Sequence, residues 1–155
     1  MKTRYVPVLL IILLAACNAD TNIEDGKQTA LPIKGTWQLI SGTTIEKNDT
    51  VITDYTKKIS FIKIINDTHF AFLKHDLNKG KDSATATFES GGGSYSLKDS
   101  LYTEHLEYCS ARQWEGNDFS FIVTIKNDTL IQSGIEKVDN AGINRLNIEK
   151  YVHVK

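Results

Sequence analysis

Residues 118–135 have the sequence DFSFIVTIKNDTLIQSGI, which predicts two β-strands joined by a tight turn. Successive side chains of a strand point to opposite faces, so apolar residues at every second position form one buried face. Asn127 and Asp128 interrupt this alternation, and both residue types tolerate the left-handed backbone that short hairpin turns require. The stretch therefore predicts an antiparallel hairpin with one buried face. The residues of that face are Phe119, Phe121, Val123 and Ile125.

The turn of this hairpin recurs along the chain. The triplet Asn-Asp-Thr stands at residues 48–50, 66–68 and 127–129, each time between apolar runs, so all three triplets are predicted hairpin turns. From Pro32 onward, runs rich in Thr, Ile, Val, Phe and Tyr predict strands, and no long helical pattern interrupts them. The predicted strands cover residues 35–46, 57–65, 68–76, 84–90, 93–98, 101–109, 118–126, 129–138 and 146–154.

Short strands in this number predict an all-β fold, an antiparallel up-and-down barrel of about eight or nine strands. An open sheet of this kind would leave two exposed edges, and closure into a barrel removes them.

Gly35, Thr36 and Trp37 open the first predicted strand, and this triplet resembles the Gly-x-Trp signature of lipocalins. The chain from about residue 33 to residue 155 is similar to the lipocalin-like domains of small bacterial lipoproteins of undefined function. The resemblance implies that Trp37 plugs one end of the barrel, with a basic side chain of the last strand packed over it. The nearest matches for that side chain are His153 and Lys155, where lipocalins have arginine. The alternative is that Trp37 is a core residue of another β-sandwich.

The N-terminal segment has the layout of a secretory signal. Lys2 and Arg4 precede an apolar run over residues 6–16, and Cys17 follows it. This run is too short to span a membrane, which takes about 20 apolar residues. Residues 14–17, Leu-Ala-Ala-Cys, resemble the bacterial lipobox, which implies cleavage before Cys17, a diacylglycerol on its thiol and usually an acyl chain on the new amine. An ordinary cleaved signal with a chance cysteine is the alternative.

These assignments divide the chain into three parts. Residues 1–16 are predicted to be the lipoprotein signal peptide, residues 17–31 the lipidated cysteine with a flexible polar tether, and residues 32–155 the barrel domain. Several acyl chains on Cys17 would hold the protein stably on a membrane. We therefore expect a membrane-anchored lipoprotein of a bacterial cell envelope, facing either the periplasm or the cell surface.

Charge and motifs argue against two classes of function. The formal net charge is −1, and it becomes −3 when Lys2 and Arg4 leave with the signal. The basic residues stand singly or in pairs, so no basic patch for a nucleic acid is predicted. The chain contains no His-Glu-x-x-His, Cys-x-x-Cys or Gly-x-Ser-x-Gly motif, and we predict neither catalysis nor a cofactor. The run from Gly91 to Gly93 is predicted to be a flexible hairpin, because a strand pattern follows it.

The cysteines and histidines do not predict a metal or redox site. If Cys17 carries lipid, Cys109 has no partner for a disulfide, and a buried, unreactive thiol is favoured over a reactive one. His105 and Glu107 share one face of a predicted strand, but zinc needs three or four ligands. The histidines are therefore expected to face solvent.

The predicted strand around residues 102–109, YTEHLEYC, places a carboxylate on each face. The face with Tyr102, Glu104 and Tyr108 is the more apolar one, so we expect it to look into the barrel. A buried unpaired carboxylate costs several kcal/mol or takes up a proton. Glu104 therefore needs a partner, for which the candidates are Arg112, Arg145 or a donor group of a bound ligand.

Arg112 and Trp114 follow in the next loop, where a lipocalin-like barrel would present its mouth. The sequence thus predicts a ligand site without metal or cofactor. Its residues are Tyr102, Glu104, Tyr108, Arg112 and Trp114. The alternative is a filled barrel in which Glu104 only pairs with an arginine.

Two functions of different classes follow from these alternatives. The first is a binding protein that holds a small, partly apolar or amphipathic ligand in its barrel at the membrane. The second is a structural or interaction lipoprotein with a filled barrel and a protein partner in the envelope.

A modification pattern is also present. Four Asp-Ser/Thr-apolar tripeptides, at residues 49–51, 82–84, 99–101 and 128–130, resemble an O-glycosylation acceptor of one phylum of Gram-negative bacteria. Turns followed by strands generate the same tripeptide, so whether these sites carry glycans is open.

Overall fold

The structure, a computed structural model, describes residues 31–155. The signal peptide, Cys17 and the tether up to residue 30 lie outside the described residues, so the assignments made for them stay predictions. Within residues 31–155 no helix has the length and hydropathy needed to cross a membrane.

Nine antiparallel strands and two short 3-10 helices build the described part of the chain. This confirms the predicted all-β, up-and-down barrel. The strands are β1 (Gly35–Glu46), β2 (Asp49–Asp54), β3 (Ile59–Ile65), β4 (His69–Asp76), β5 (Phe88–Lys98), β6 (Leu101–Cys109), β7 (Asp118–Lys126), β8 (Thr129–Val138) and β9 (Ile143–His153). The 3-10 helices are Arg112–Trp114 and Asp139–Ala141.

Eight of these strands close the barrel. From β3 to β9 each strand pairs with the next, and β1 pairs with both β3 and β9. β2 is the extra strand, since it pairs only with the second half of β1, whereas the first half of β1 pairs with β3. The chain between β2 and β3 carries Tyr55, whose backbone N–H donates to the carbonyl oxygen of Ile40 on β1 at 3.0 Å.

All three Asn-Asp-Thr triplets lie at turns, as predicted, but they form the turns in two ways. Asn48, Asn127 and Asp128 adopt positive φ angles of 71°, 49° and 58°, the left-handed conformation expected from their residue types. The turn at residues 66–68 contains no residue with positive φ. There the side-chain oxygen of Asn66 accepts hydrogen bonds from the backbone N–H groups of Thr68 and His69 at 2.9 and 2.7 Å.

The two strands predicted on either side of Gly91–Gly93 form one continuous strand, β5, so the predicted hairpin there is wrong. These glycines lie inside β5, where β4 and β6 approach too closely for side chains. A Cβ atom on Gly91 would lie 2.5 Å from the ring of Phe72, and one on Gly93 would collide with the carbonyl oxygen of His105. Residues 84–87 are loop. β2 was not predicted, because four of its six residues are polar, and five of the six are exposed.

The two ends of the barrel differ. At one end tight turns join β3 to β4, β5 to β6 and β7 to β8, and Trp37 lies there, 2% exposed. Its Nε1 donates a hydrogen bond to the carbonyl oxygen of Ile33 at 2.7 Å, and the ring of His153 packs edge-on against it at 4.9 Å. We call this the closed end. The opposite, open end carries the longer loops, residues 77–87, 110–117 and 139–142.

The apolar core fills the closed half of the interior, and a few buried residues, such as Phe119 and Val138, extend it to the open end. The predicted inward face of β7 is confirmed, since Phe119, Phe121 and Val123 are at most 4% exposed. Phe121 fits because it packs over Gly134 on β8, where any Cβ atom would lie 2.8 Å from its ring. The other buried apolar residues are Ile33, Trp37, Leu39, Ile65, Phe70, Tyr102, Leu106, Leu130, Val138 and Tyr151.

Candidate functional site

A cavity of about 440 Å³ lies inside the open half of the barrel. Its mouth is formed by residues of the open end, among them Tyr55 and Trp114. Its floor is formed by polar side chains from β3, β6, β8 and β9. The floor residues are Lys63, Glu104, Gln132, Glu136, Arg145, Asn147 and Glu149.

Aromatic rings line two sides of the mouth. On one side Phe61 lies 5.8 Å from the ring of Tyr55 and 5.8 Å from the ring of Phe72, measured between ring centroids. On the other side Trp114, from the loop after β6, lies 5.7 Å from Phe119. Tyr55 can reach the mouth because β1 has a glycine beneath it: a Cβ atom on residue 42 would lie 3.1 Å from its ring. The mouth is thus the apolar part of the cavity.

An ion pair lies at the floor. β3 alternates inward-facing Phe61, Lys63 and Ile65, so its one inward polar position puts Lys63 inside the barrel, 3% exposed. Its ammonium donates to Oε1 of Glu104 at 2.7 Å and to Oε1 of Gln132 at 3.0 Å. Glu104 is therefore paired with a lysine, and neither of the two arginines proposed from the sequence is its partner.

Glu149 completes this part of the floor. Its Oε2 accepts hydrogen bonds from the hydroxyl of Tyr151 at 2.8 Å and from Nε2 of Gln132 at 3.2 Å. The ammonium of Lys63 is 4.0 Å from the same oxygen, beyond a hydrogen bond. One ammonium therefore lies among two carboxylates, and neutral donors hold the second carboxylate in place.

A second ion pair lies higher in the cavity. Nε of Arg145 donates to Oε2 of Glu136 at 2.7 Å, and Nδ2 of Asn147 donates to Oε1 at 2.8 Å, so both oxygens of Glu136 are occupied. The guanidinium of Arg145 also lies over the ring of Trp114, 5.5 Å from its centroid, which is a cation–π distance. Arg145 therefore joins the polar floor to the aromatic mouth.

Burial and charge act in opposite directions on these groups. Burial raises the pKa of Glu104, and Lys63 offsets only part of this effect. Burial likewise raises the pKa of Glu136 against the attraction of Arg145. Burial alone would lower the pKa of Lys63, but Glu104 and Glu149 outweigh it, so the pKa is raised and the lysine stays charged. The floor thus holds a charged lysine and two carboxyl groups, Glu104 and Glu136, whose ionisation is opposed by burial.

Two of the five predicted site residues line the cavity, Glu104 at the floor and Trp114 at the mouth. Tyr102 lies inside the barrel on the same face, but in the apolar core beneath the cavity, 1% exposed. Its hydroxyl has no hydrogen-bond partner of ordinary geometry. Burial, and after it the charge of Glu104, raises the pKa of Tyr102.

The structure does not bring Tyr108 or Arg112 to the cavity. A register shift between Gly92 and Gly93 in the pairing of β5 with β6 changes the side on which the end of β6 points. Tyr108 is therefore 68% exposed, and Cys109 faces the cavity in its place, which makes the inward orientation predicted for Tyr108 wrong. Arg112 points away from the barrel and pairs with Glu115 at 3.1 Å, its side chain 81% exposed.

Most floor residues were not predicted, although the sequence contains a signal for them. Lys63 is the one polar residue among the inward positions 61, 63 and 65 of β3, and Gln132 and Glu136 share the inward phase of β8. Arg145, Asn147 and Glu149 alternate along β9. Polar residues in the inward phase of two or more strands would have indicated a polar cavity. Their pairing across the barrel follows only from the register and closure of the sheet.

Among residues 31–155 no three His, Cys, Asp or Glu side chains lie close enough together to hold a metal ion. Cys109 is a half-buried free thiol on the cavity wall, and burial raises its pKa, which favours the unreactive protonated form. His105 lies outside the barrel, where Nδ1 is 2.8 Å from Asp118. The cavity therefore offers charges and hydrogen bonds.

Comparison with known proteins assigns no family to this chain. No protein-family model matches it, and no curated protein matches it significantly. The lipocalin resemblance depends on residues 35–37 and on the barrel.

Proposed function

We propose that the barrel binds a small, partly apolar molecule, and that the lipid on Cys17 keeps this binding domain at a membrane of the cell envelope. The observation that carries the proposal is the cavity of about 440 Å³ in the open half of the barrel. Ligand pockets commonly enclose about 300–1,000 Å³ and combine apolar walls with a few placed polar groups. This role is binding and not catalysis.

The order of side chains along the barrel axis supports an amphipathic ligand. The rings of Tyr55, Phe72 and Trp114 surround the mouth, and the hydrogen-bonding groups of Glu104 and Glu149 lie at the floor. A molecule that enters with its polar end first would satisfy the floor and cover the rings. The aromatic mouth would then remove the apolar part of the ligand from water.

The barrel also supports the resemblance to lipocalins. Trp37 is buried at the closed end, and His153 of the last strand packs against it, which is the arrangement that the resemblance implies. We include the lipocalin-like character in the proposal for this reason.

One observation favours the alternative, an interaction lipoprotein that works through its outer surface. Leu101 and Ile122 are paired across β6 and β7, and both are about half exposed. Ile131 continues this apolar patch on the outer face of β8, 40% exposed. A protein partner would cover such a patch, but the volume of the cavity weighs against a barrel that serves only as a filled scaffold.

Native mass spectrometry of the lipoprotein, purified gently from its own membrane, tests the proposal. We expect a reproducible bound mass that denaturation releases and that is weakened in Glu104→Gln. Glu107→Gln is the matched control, because Glu107 lies on the outer face of the same strand and accepts a hydrogen bond from Ser94. A mass without adduct, together with a copurifying protein, would refute the binding role and favour the interaction role.

A further inference from the structure

The charged groups of the cavity do not balance. Three cations and four carboxylates line it, and three ion pairs account for all but one carboxylate. The pairs are Lys63–Glu104, Lys74–Glu89 and Arg145–Glu136, with N–O distances of 2.7, 2.9 and 2.7 Å. The remaining carboxylate is Glu149.

Glu149 is held but not neutralised. Its Oε2 accepts from two neutral groups, Tyr151 and Gln132, and is 4.0 Å from the ammonium of Lys63. Among residues 31–155 no donor reaches its Oε1, although the side chain is only 14% exposed. Lys63 is thus shared between Glu104 and Glu149, and the two neutral donors add no positive charge. The site thus lacks one positive charge.

The groups around Glu149 are further hydrogen-bond acceptors that a cation could use. Glu104 accepts from Lys63 through Oε1 alone, and its side chain is 9% exposed. Asn147, which also lines the cavity, donates a hydrogen bond from Nδ2 to Glu136. Its side-chain oxygen remains a possible acceptor. An alkylammonium group has three N–H donors and no acceptor, as the side chain of lysine does.

We infer that the ligand is an amphipathic amine, whose protonated nitrogen binds Glu149 at the floor and whose apolar part lies among Tyr55, Phe72 and Trp114. This inference rests on the proposed binding function. It assigns the charge of the ligand from the one carboxylate without a cation of its own. A ligand with an anionic end would meet that carboxylate, while the two cations nearer the mouth, Lys74 and Arg145, are already paired.

A series of three probes of equal chain length tests the charge: octylamine, octan-1-ol and octanoate. Isothermal titration of the wild-type protein at pH 7 needs no variant, so a folding defect cannot confuse the result. We expect octylamine to bind at least about tenfold more tightly than octan-1-ol, because a hydrogen bond between two charged groups is stronger than one from a neutral hydroxyl. Octanoate should bind more weakly than the alcohol.

A variant then tests the anchor. Glu149→Gln keeps an oxygen that can accept from Tyr151 and Gln132 but removes the charge. We expect it to weaken octylamine by about tenfold and to leave octan-1-ol within about twofold, so that the preference for the amine disappears. Glu107→Gln removes an equal charge from the outer face and should leave both affinities unchanged.

The outcomes separate this inference from the proposed function. Equal binding of amine and alcohol, or tightest binding of octanoate, would overturn the amine while leaving a binding barrel. If none of the probes binds, the adduct released from the native protein decides: a molecule without a basic nitrogen refutes the amine, and one with it supports the amine. Absence of both probe binding and native adduct would refute the proposed function itself.

Discussion

The two ends of this barrel contain one tryptophan each, and the two tryptophans have opposite surroundings. Trp37 at the closed end is 2% exposed, donates its indole N–H to a backbone carbonyl and packs against the ring of His153 on the last strand. Trp114 at the open end is only half-buried, belongs to a three-residue 3-10 helix and lies under the guanidinium of Arg145. The same residue type therefore closes the core at one end and borders a cavity at the other.

The difference indicates that the closed half of the barrel provides most of its stability and that the open half provides the binding cavity. The closed half is joined by tight turns and filled with apolar side chains, which contribute the free energy of burial. The open half buries fewer apolar side chains, because it contains the cavity with its ion pairs and is bordered by long loops. We therefore expect substitutions at the closed end to change the free energy of unfolding and those at the open end to change ligand affinity.

The largest effect is expected from truncation of the two tryptophans. Trp37→Ala should lower the free energy of unfolding by about 4–5 kcal/mol, because a fully buried ring leaves a large void. Trp114→Ala should lower it by only about 1–2 kcal/mol, since its ring is half-buried, but should weaken ligand binding. Urea unfolding followed by circular dichroism measures both values. Equal losses for the two variants would contradict the division between the ends.

The next effect compares two lysines. Lys63→Met should lower the free energy of unfolding by about 3–4 kcal/mol at pH 7, because it leaves two buried carboxylates without a cation. Lys74→Met should cost less than about 1 kcal/mol, since its partner Glu89 is half exposed and can be hydrated. The same urea experiment measures both.

Acid should partly rescue Lys63→Met, because burial raises the pKa of Glu104 and protonation removes the charge that has lost its partner. Lys74→Met should show no such rescue. A Lys63→Met protein as stable as the wild type at pH 7 would mean that the floor is hydrated, and the cavity would then lack the low-dielectric character that makes Glu149 an anchor.

The sequence was informative where the pattern is local. The alternation in residues 118–126 and the Asn-Asp pair at 127–128 are set by neighbouring residues, and both the hairpin and the closed barrel were predicted from such segments. Gly91–Gly93 shows where this reasoning stops. Glycines usually mark turns, but here they allow Phe72 and the backbone of β6 to approach β5, a contact between strands that no local pattern contains.

The candidate site was predictable only in part for the same reason. Glu104 could be found because one acid in an apolar face is a local signal. Its partner Lys63 is 41 residues away in sequence and meets it only after the barrel closes. Tyr108 was assigned to the wrong side because β6 contains a bulge: Gly92 pairs with Tyr108 and Gly93 with Leu106, so Glu107 has no partner on β5. The bulge depends on this pairing with β5, and the residue types of β6 alone do not indicate it.

A smaller effect should appear in the pH dependence of stability. The pKa of Glu104 is raised above its ordinary value of 4.5 because the group is buried. The folded protein therefore holds this proton more tightly than the unfolded chain, so the stabilisation is complete below pH 4.5 and is lost as the pH rises through the raised pKa. Glu104→Gln should lose less stability than the wild type between pH 5 and pH 8.

Exposed acids also contribute to the pH dependence of stability, but their contributions are the same in the wild type and in Glu104→Gln. An example is Asp54, whose pKa is lowered to about 2 mainly by hydrogen bonds from Thr56. That group contributes stability above its ordinary pKa, which is lost as the pH falls, and it is the same in both proteins. Parallel curves of unfolding free energy against pH would show that Glu104 is already ionised without cost, and that the floor does not resist a further negative charge.

The smallest effect is expected on the outer wall of the open end, at Tyr108. Its side chain is 68% exposed, so Tyr108→Ser should change the free energy of unfolding by less than about 0.5 kcal/mol and leave ligand affinity unchanged. Its neighbour Cys109 faces the cavity, so a bound ligand should slow alkylation of that thiol by iodoacetamide. Tyr108 thus tests the outer face of β6, and Cys109 tests the face that lines the cavity. A loss of affinity in Tyr108→Ser, with no protection of Cys109, would mean that β6 has no bulge at Glu107 and that its end keeps the alternation that its sequence alone predicts.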